Sequence, residues 1–186
     1  MSVGRLTARV VIGGLVIGHG TQKLFGWFGG PGRAGTEAMM ESLDLRPGKV
    51  HALAAGLTET VSGALLAAGL ATPAAAAGIT GVMTTAIAKV HWPNGPWVAK
   101  GGWEYNVVLI AAVTALADTG PGDLSLDHAL GVERRGWQWA LAALASGVGA
   151  AVLTMTAGGR GRAGGSSPTA AISPTDTGGD PTTSGA

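Results

Sequence analysis

The chain has 186 residues, of which only 12% are charged and 46% are apolar. That charged share is about half of the roughly 25% usual in soluble domains. A formal net charge of +1, with no run of basic residues, argues against a nucleic-acid partner. With no cysteine, the chain offers no disulfide, thiol nucleophile, cysteine-bound haem or iron–sulfur ligand. Any redox role therefore needs a bound organic cofactor or a partner protein.

Five membrane spans are predicted in chain order. The first covers residues 5–24. Arg5, Arg9 and the apolar run 10–17 resemble a signal peptide, but Gly18-His19-Gly20-Thr21-Gln22-Lys23 is no small-residue cleavage site, so the segment is read as retained. A Gly-Pro-rich loop and a short amphipathic segment at 36–43 follow. The second span covers 48–70. Thr72-Pro73 reads as an N-cap with Pro at the first helical position, which makes the second and third spans a tight hairpin. The third span runs to about residue 90 and is stopped by Trp92-Pro93-Asn94-Gly95-Pro96. The fourth covers 103–117 and ends at Asp118 and Gly120-Pro121-Gly122. The fifth, 136–158, carries no charge. From residue 159 onward the composition is that of a disordered tail.

The 33 glycines and the many alanines suit closely packed membrane helices. The fifth span and the stretch from Glu59 to Lys89 reach the about 20 apolar residues needed to cross a bilayer. The charge-free intervals Arg9 to Lys23 and Glu104 to Asp118 fall short of it. They cross only if their flanking charges snorkel or face the bundle interior. The expected fold is thus all-α, a polytopic membrane helix bundle with a four-helix core and a fifth C-terminal transmembrane helix. The domain division is 1–127 for the core, 128–158 for a linker and the fifth helix, and 159–186 for the tail.

Glu59 lies within an apolar stretch, where a carboxylate is costly and marks a candidate site. Let side A be the membrane face where the first span starts, and side B the other. His19, Gln22 and Lys23 close the first span on side B, Lys89 and His91 close the third there, and Glu104 and Asn106 open the fourth. Glu59 lies about 12 Å deeper than His51, which opens the second span. Four spans thus deliver polar groups to one level, as an enclosed polar pocket requires. His19, Gln22 and Lys23 share a helical face, as do Gly56, Glu59 and Gly63, so a neighbouring helix can approach Glu59 closely. Glu104 and Asn106 cannot both face inward on an α-helix; Glu104 is favoured and Asn106 is left open. The alternative for His19, Lys23, Lys89 and His91 is snorkelling into headgroups. Trp27, Trp92, Trp97 and Trp103 on side B, and Trp137 and Trp139 on side A, read as interfacial belts. The histidines lack metal-ligand spacing, so no metal is expected. Basic residues are more numerous on side B, which favours that side in the cytoplasm, while Arg5 and Arg9 favour the reverse.

Four blocks resemble the DoxX family of small bacterial membrane proteins over about residues 5–127. They are Gly-His-Gly-Thr-Gln-Lys-Leu-Phe-Gly (18–26) after the arginines, Glu59 followed by Ser-Gly-Ala-Leu-Leu (62–66), Gly101-Gly102-Trp103-Glu104-Tyr105, and Gly-Pro-Gly-Asp-Leu-Ser-Leu-Asp (120–127). The resemblance implies a four-helix core in the bacterial cytoplasmic (inner) membrane, with the lipid bilayer as partner. It also implies a redox setting, since related proteins are named for a subunit of a thiosulfate:quinone oxidoreductase. Others accompany soluble partners of superoxide dismutase or sulfurtransferase type. The motif residues it carries over are Gln22, Lys23, Glu59, Glu104, Ser125 and Asp127. For Gly120, Pro121, Gly122, Ser125 and Asp127 a structural role is preferred: a turn, a cap on a short helix, and a pairing of Asp127 with Arg5 or Arg9.

The expected function is a component of a quinone-linked membrane redox system. His19, Gln22 or Lys23 would donate to quinone oxygens, and Glu59 or Glu104 would accept protons. The alternatives are a non-enzymatic scaffold for soluble redox enzymes and a pathway for a small solute or protons. Whether the chain is itself part of an enzyme stays open.

Overall fold

The computed structural model describes residues 3–160, with side chains to residue 158. The expected disordered tail lies, from residue 161 onward, outside the described residues. All regular structure among the described residues is helical. The long helices are α1 (Val3–Phe25), α3 (Gly48–Ala68), α4 (Thr72–Ala86), α5 (Glu104–Thr119) and α7 (Trp137–Arg160). Two shorter ones are α2 (Gly32–Ser42) and α6 (Leu126–Ala129). α7 continues past residue 158, where the tail was expected to begin.

Three helical stretches are long and apolar enough to cross a membrane: Gly48–Ala68, Thr72–Asn94 and Trp137–Gly158. Only 22–33% of their apolar windows are buried inside the bundle. Most of that apolar surface faces outward, an arrangement that lipid stabilises and water does not. The chain is a multi-pass membrane protein. α1 and α5 do not meet the same length and hydropathy, yet α1 lies antiparallel along the full length of α3.

Glycine spacing produces that contact. On α1, Gly13 and Gly20 face Gly63 and Gly56 of α3. A Cβ added at Gly63 would stand 2.7 Å from the Gly13 carbonyl oxygen, and one at Gly20 would stand 2.6 Å from the Thr60 nitrogen. Small residues at both positions let the two backbones touch, the usual device of packed membrane helices. α3 ends at Gly69, whose left-handed φ of 64° turns the chain back toward α4. The Leu70 N–H then closes onto the Leu65 carbonyl at 2.9 Å.

α4 is central. It packs on α3, α5 and α7, and its buried Ala75, Ala76 and Ile79 meet Val16, Leu66, Val113 and Ala143 in one core. α7 runs parallel to α4 at close range, since a Cβ at Gly147 would come within 2.6 Å of the Ala77 carbonyl oxygen. The fifth span, expected as an addition to a four-helix core, is therefore a packed part of the bundle. α2 lies at the side-B end, and its Thr36 hydroxyl, bonded to the Gly32 carbonyl at 2.7 Å, also donates to the Lys23 carbonyl at 3.4 Å.

Side A is fastened by the 120–127 block. Asp127 accepts from the Ala71 N–H at 2.9 Å and from both the N–H and hydroxyl of Thr72 at 3.2 Å. Thr72 was expected to cap its own helix. Instead Ala71 occupies the cap position with no side-chain bond, and a carboxylate from far along the chain supplies the acceptor. Arg9, only 1% exposed, donates to the Leu124 carbonyl at 2.6 Å and faces Asp127. Ser125 caps α6 by accepting from the His128 N–H at 3.2 Å, and donates to the Gly122 carbonyl at 2.6 Å. Arg5 reaches the Thr119 carbonyl at 2.9 Å.

Candidate functional site

At the side-B end, Lys23 and Glu59 meet. Lys23 Nζ donates to Glu59 Oε2 at 2.6 Å, and the carboxylate side chain is 3% exposed against 19% for the lysine. The geometry follows from the glycines: with Gly20 against Gly56 the two backbones touch, and the long Lys23 side chain, one turn nearer side B, reaches back along α1 to Glu59. Burial of a charged pair is tolerable only with such a short charge-assisted bond. The remaining Lys23 N–H groups are nearly uncommitted, since the other contact is to the His19 carbonyl at the limiting distance of 3.5 Å.

Two cavities adjoin the pair, and Lys23, Glu59, Met83 and Ala86 line both. The larger, about 530 Å³, lies between α2, α3, α4 and α7. Its walls are mostly Ala, Leu, Met and Val, with His51, Thr58, Thr85, Lys89 and Thr154 as the other polar groups. Met39, Val50 and Leu153 on its lining are exposed on the outside of the bundle. The smaller cavity, about 290 Å³, lies between α1, α4 and α5 and holds His19, His91, Tyr105 and Asn106.

The helical path changes where these cavities meet α4. After Ala86 the chain forms a wide π-turn, Ile87–His91. Such turns insert a residue into the helix and often mark functional sites. Here the turn carries Lys89 into the larger cavity and His91 into the smaller. His91 Nδ1 lies 2.7 Å from the Gly101 carbonyl, so that nitrogen carries the proton and donates. The loop from Trp92 to Trp103 closes over the smaller cavity, with the two indoles stacked at 6.3 Å between centroids. Both indoles belong to the expected side-B belt, whose Trp27, Trp92 and Trp97 are exposed, as are Trp137 and Trp139 at the other end.

The structure sorts the expected site residues. Lys23, Glu59, Lys89, His19, His91 and Asn106 line one or both cavities. Gln22 lines neither and packs under the loop at Gly30, where a Cβ would meet its own Cβ at 2.5 Å. Glu104, favoured to face inward, opens α5 half-buried outside both cavities, while Asn106 is 5% exposed and donates to Met83 Sδ at 3.3 Å. The reason is the α5 face: Asn106, Leu109, Val113 and Leu116 recur at helical spacing and form its buried stripe. That spacing is visible in the sequence and points to Asn106 rather than Glu104. Arg9 was likewise missed as a buried group, although it shares a face with Gly13, Val16 and Gly20. The turn at 120–122 and the caps at Ser125 and Asp127 serve the fold, at the end of the bundle away from both cavities. No group of three His, Asp or Glu side chains among the described residues could hold a metal ion.

Neither the curated proteins nor the solved structures compared give a match. The family model described as DoxX matches residues 4–92. That span contains α1 to α4 and the π-turn, hence Lys23, Glu59, Lys89 and His91. It stops short of Asn106, of the 120–127 block, and of the α7 residues that wall the larger cavity. Across the helices that build the ion pair, the chain thus matches the DoxX family model.

Proposed function

We propose that the larger cavity binds the head group of an isoprenoid quinone, and that the chain serves a membrane redox system of the bacterial cytoplasmic membrane. The observation that carries this reading is the placement of the Lys23–Glu59 pair on the lining of an apolar cavity of about 530 Å³. That volume falls in the range of small-molecule sites, about 300–1,000 Å³. The apolar lining and the exposed Met39, Val50 and Leu153 suit a ligand that arrives from lipid.

A quinone supplies two-electron, two-proton chemistry. The residues of the chain supply position and protons. Lys23 has N–H groups left for a carbonyl oxygen while it holds Glu59. Glu59 is the base nearest such a donor, and the short bond to Lys23 keeps it oriented. Lys89, which also lines the cavity, is a second donor. Electrons come from a soluble partner, for which the superoxide dismutase or sulfurtransferase types that accompany related proteins are the first to test.

The test is equilibrium binding of a short-chain menaquinone analogue to the purified chain in native-lipid nanodiscs. Lys23→Met removes a charged donor worth about 1.5–3 kcal/mol, so affinity should fall roughly ten- to a hundredfold. Glu59→Gln should weaken binding less and abolish its pH dependence. Absence of saturable binding by the unaltered chain ends this reading.

A further inference from the structure

We infer that Glu59 exchanges its proton with water on side B through the smaller cavity, with His91 and His19 as the relay groups. The inference rests on the proposed role of Glu59 as a base and names the route that such a base needs. A buried carboxylate that takes up a proton must also deliver it, and the larger cavity is apolar and would be filled by its ligand.

The smaller cavity has the properties of a proton path. Its volume of about 290 Å³ is many times the minimum for one water molecule. Glu59 lies on its wall, and His19, on the same lining, is exposed at the other extreme. Gly101 and Tyr105, also on the lining, are exposed as well. His91 is half-buried between these limits, with Nδ1 committed to the Gly101 carbonyl. Nε2 of the neutral ring is then an acceptor. The transfer balances simply: the O–H bond of protonated Glu59 breaks to a water, Nε2 takes a proton from that water chain, and the imidazolium returns it to a water nearer the surface. Nothing is oxidised or reduced. The charged and titratable groups facing Glu59 are Lys23 and His19 from α1. Lys89, His91, Tyr105 and His51 complete the linings of the two cavities it borders.

Time-resolved infrared spectroscopy after a pH jump tests the route on the full chain in native-lipid nanodiscs. The carboxyl band of Glu59 is the one that Glu59→Gln removes. His91→Gln keeps a donor for Gly101 but cannot shuttle a proton, and its rate of Glu59 protonation should drop about tenfold or more, further with His19→Gln. Added imidazole should restore the rate, which repair of a merely structural defect would not do. His128→Gln, on the exposed side-A end and on neither cavity lining, should leave the rate unchanged. Unaltered rates in the doubly substituted chain, slowing by His128→Gln, or the lack of any Glu59 band would each overturn the route. Quinone-analogue affinity is read on the same samples: if binding is absent while the band and its histidine dependence persist, the ligand reading fails and the route stands.

Discussion

The bundle buries two constellations of opposite charge, one at each end, and in both the cation comes from α1. At side A, Arg9 faces Asp127. At side B, Lys23 holds Glu59. They differ in what surrounds the acid. Both oxygens of Asp127 are occupied by donors of the α3–α4 turn, and no cavity described above reaches it. Glu59 makes a single described hydrogen bond, to Lys23, and borders two cavities. Burial of charge is thus not by itself a sign of function. An acid whose lone pairs are consumed by backbone donors is a structural fastener. One that keeps accepting capacity beside open volume is available for chemistry.

Stability measurements should separate the two. Asp127→Ala removes the acceptor from the start of α4 and leaves Arg9 buried beside no carboxylate. The Ala71 N–H and the N–H and hydroxyl of Thr72 lose their acceptor, and each buried donor left stranded costs about 1–3 kcal/mol. Two donors of Arg9, Nε and Nη1, already lack a hydrogen-bond partner, so no spare interaction cushions the loss. Glu59→Ala should cost less, about 3 kcal/mol, because the stranded Lys23 is partly exposed and can turn into either cavity. Asp118→Ala, on an exposed position, should stay within about 0.5 kcal/mol. The ranking can be read from thermal unfolding in detergent and from accumulation in membranes. An Asp127→Ala chain as stable as the Asp118→Ala one would dissolve the contrast between the two ends.

The side-B pair also depends on helix spacing, and that dependence is separately testable. A methyl at Gly63 would meet the α1 backbone, 2.7 Å from the Gly13 carbonyl oxygen and 2.8 Å from the Ile17 nitrogen. Gly63→Ala should therefore cost about 1–3 kcal/mol and weaken the Lys23–Glu59 contact one turn away. Gly14→Ala, with nothing within 4 Å of its added methyl, serves as the control. It should be neutral or stabilise α1 by up to about 1 kcal/mol. Equal effects at the two positions, judged by unfolding temperature, would show that α1 does not pack on α3 as described.

These cases also show what the sequence made legible. Glu59 stood out because a carboxylate in an apolar run demands a partner, and the shared face of Gly56, Glu59 and Gly63 foretold close approach by another helix. Lys23 followed from its place at the end of α1. Helix existence and order were readable from apolar length and from Gly-Pro punctuation. The two cavities were not, because they depend on interhelical distances and on the small α7 residues Ala150, Ala151 and Ala157, whose packing partner is not local. The π-turn has no sequence signature, yet it decides which cavity Lys89 and His91 enter. The cap of α4 escaped notice for a related reason: local rules name Thr72, and only the fold brings Asp127 to it. Asn106 is different, since its spacing with Leu109, Val113 and Leu116 was available and outweighs the attraction of an acid such as Glu104.

The finest test concerns Ser125, the least of the side-A fasteners. Its hydroxyl accepts from the His128 N–H and donates to the Gly122 carbonyl, so it orders the turn that presents Asp127. Ser125→Ala removes one N-cap, worth about 1 kcal/mol, from a helix of only four residues. The Asp127 N–H bond to the Gly69 carbonyl, at 2.9 Å, remains to hold the carboxylate in place. The unfolding temperature should therefore fall by only a few degrees, and quinone-analogue affinity at the other end should not change. A Ser125→Ala chain that kept its stability but lost that affinity would mean that the two ends are coupled through α1. The division between a structural end and a chemical end would then have to be abandoned.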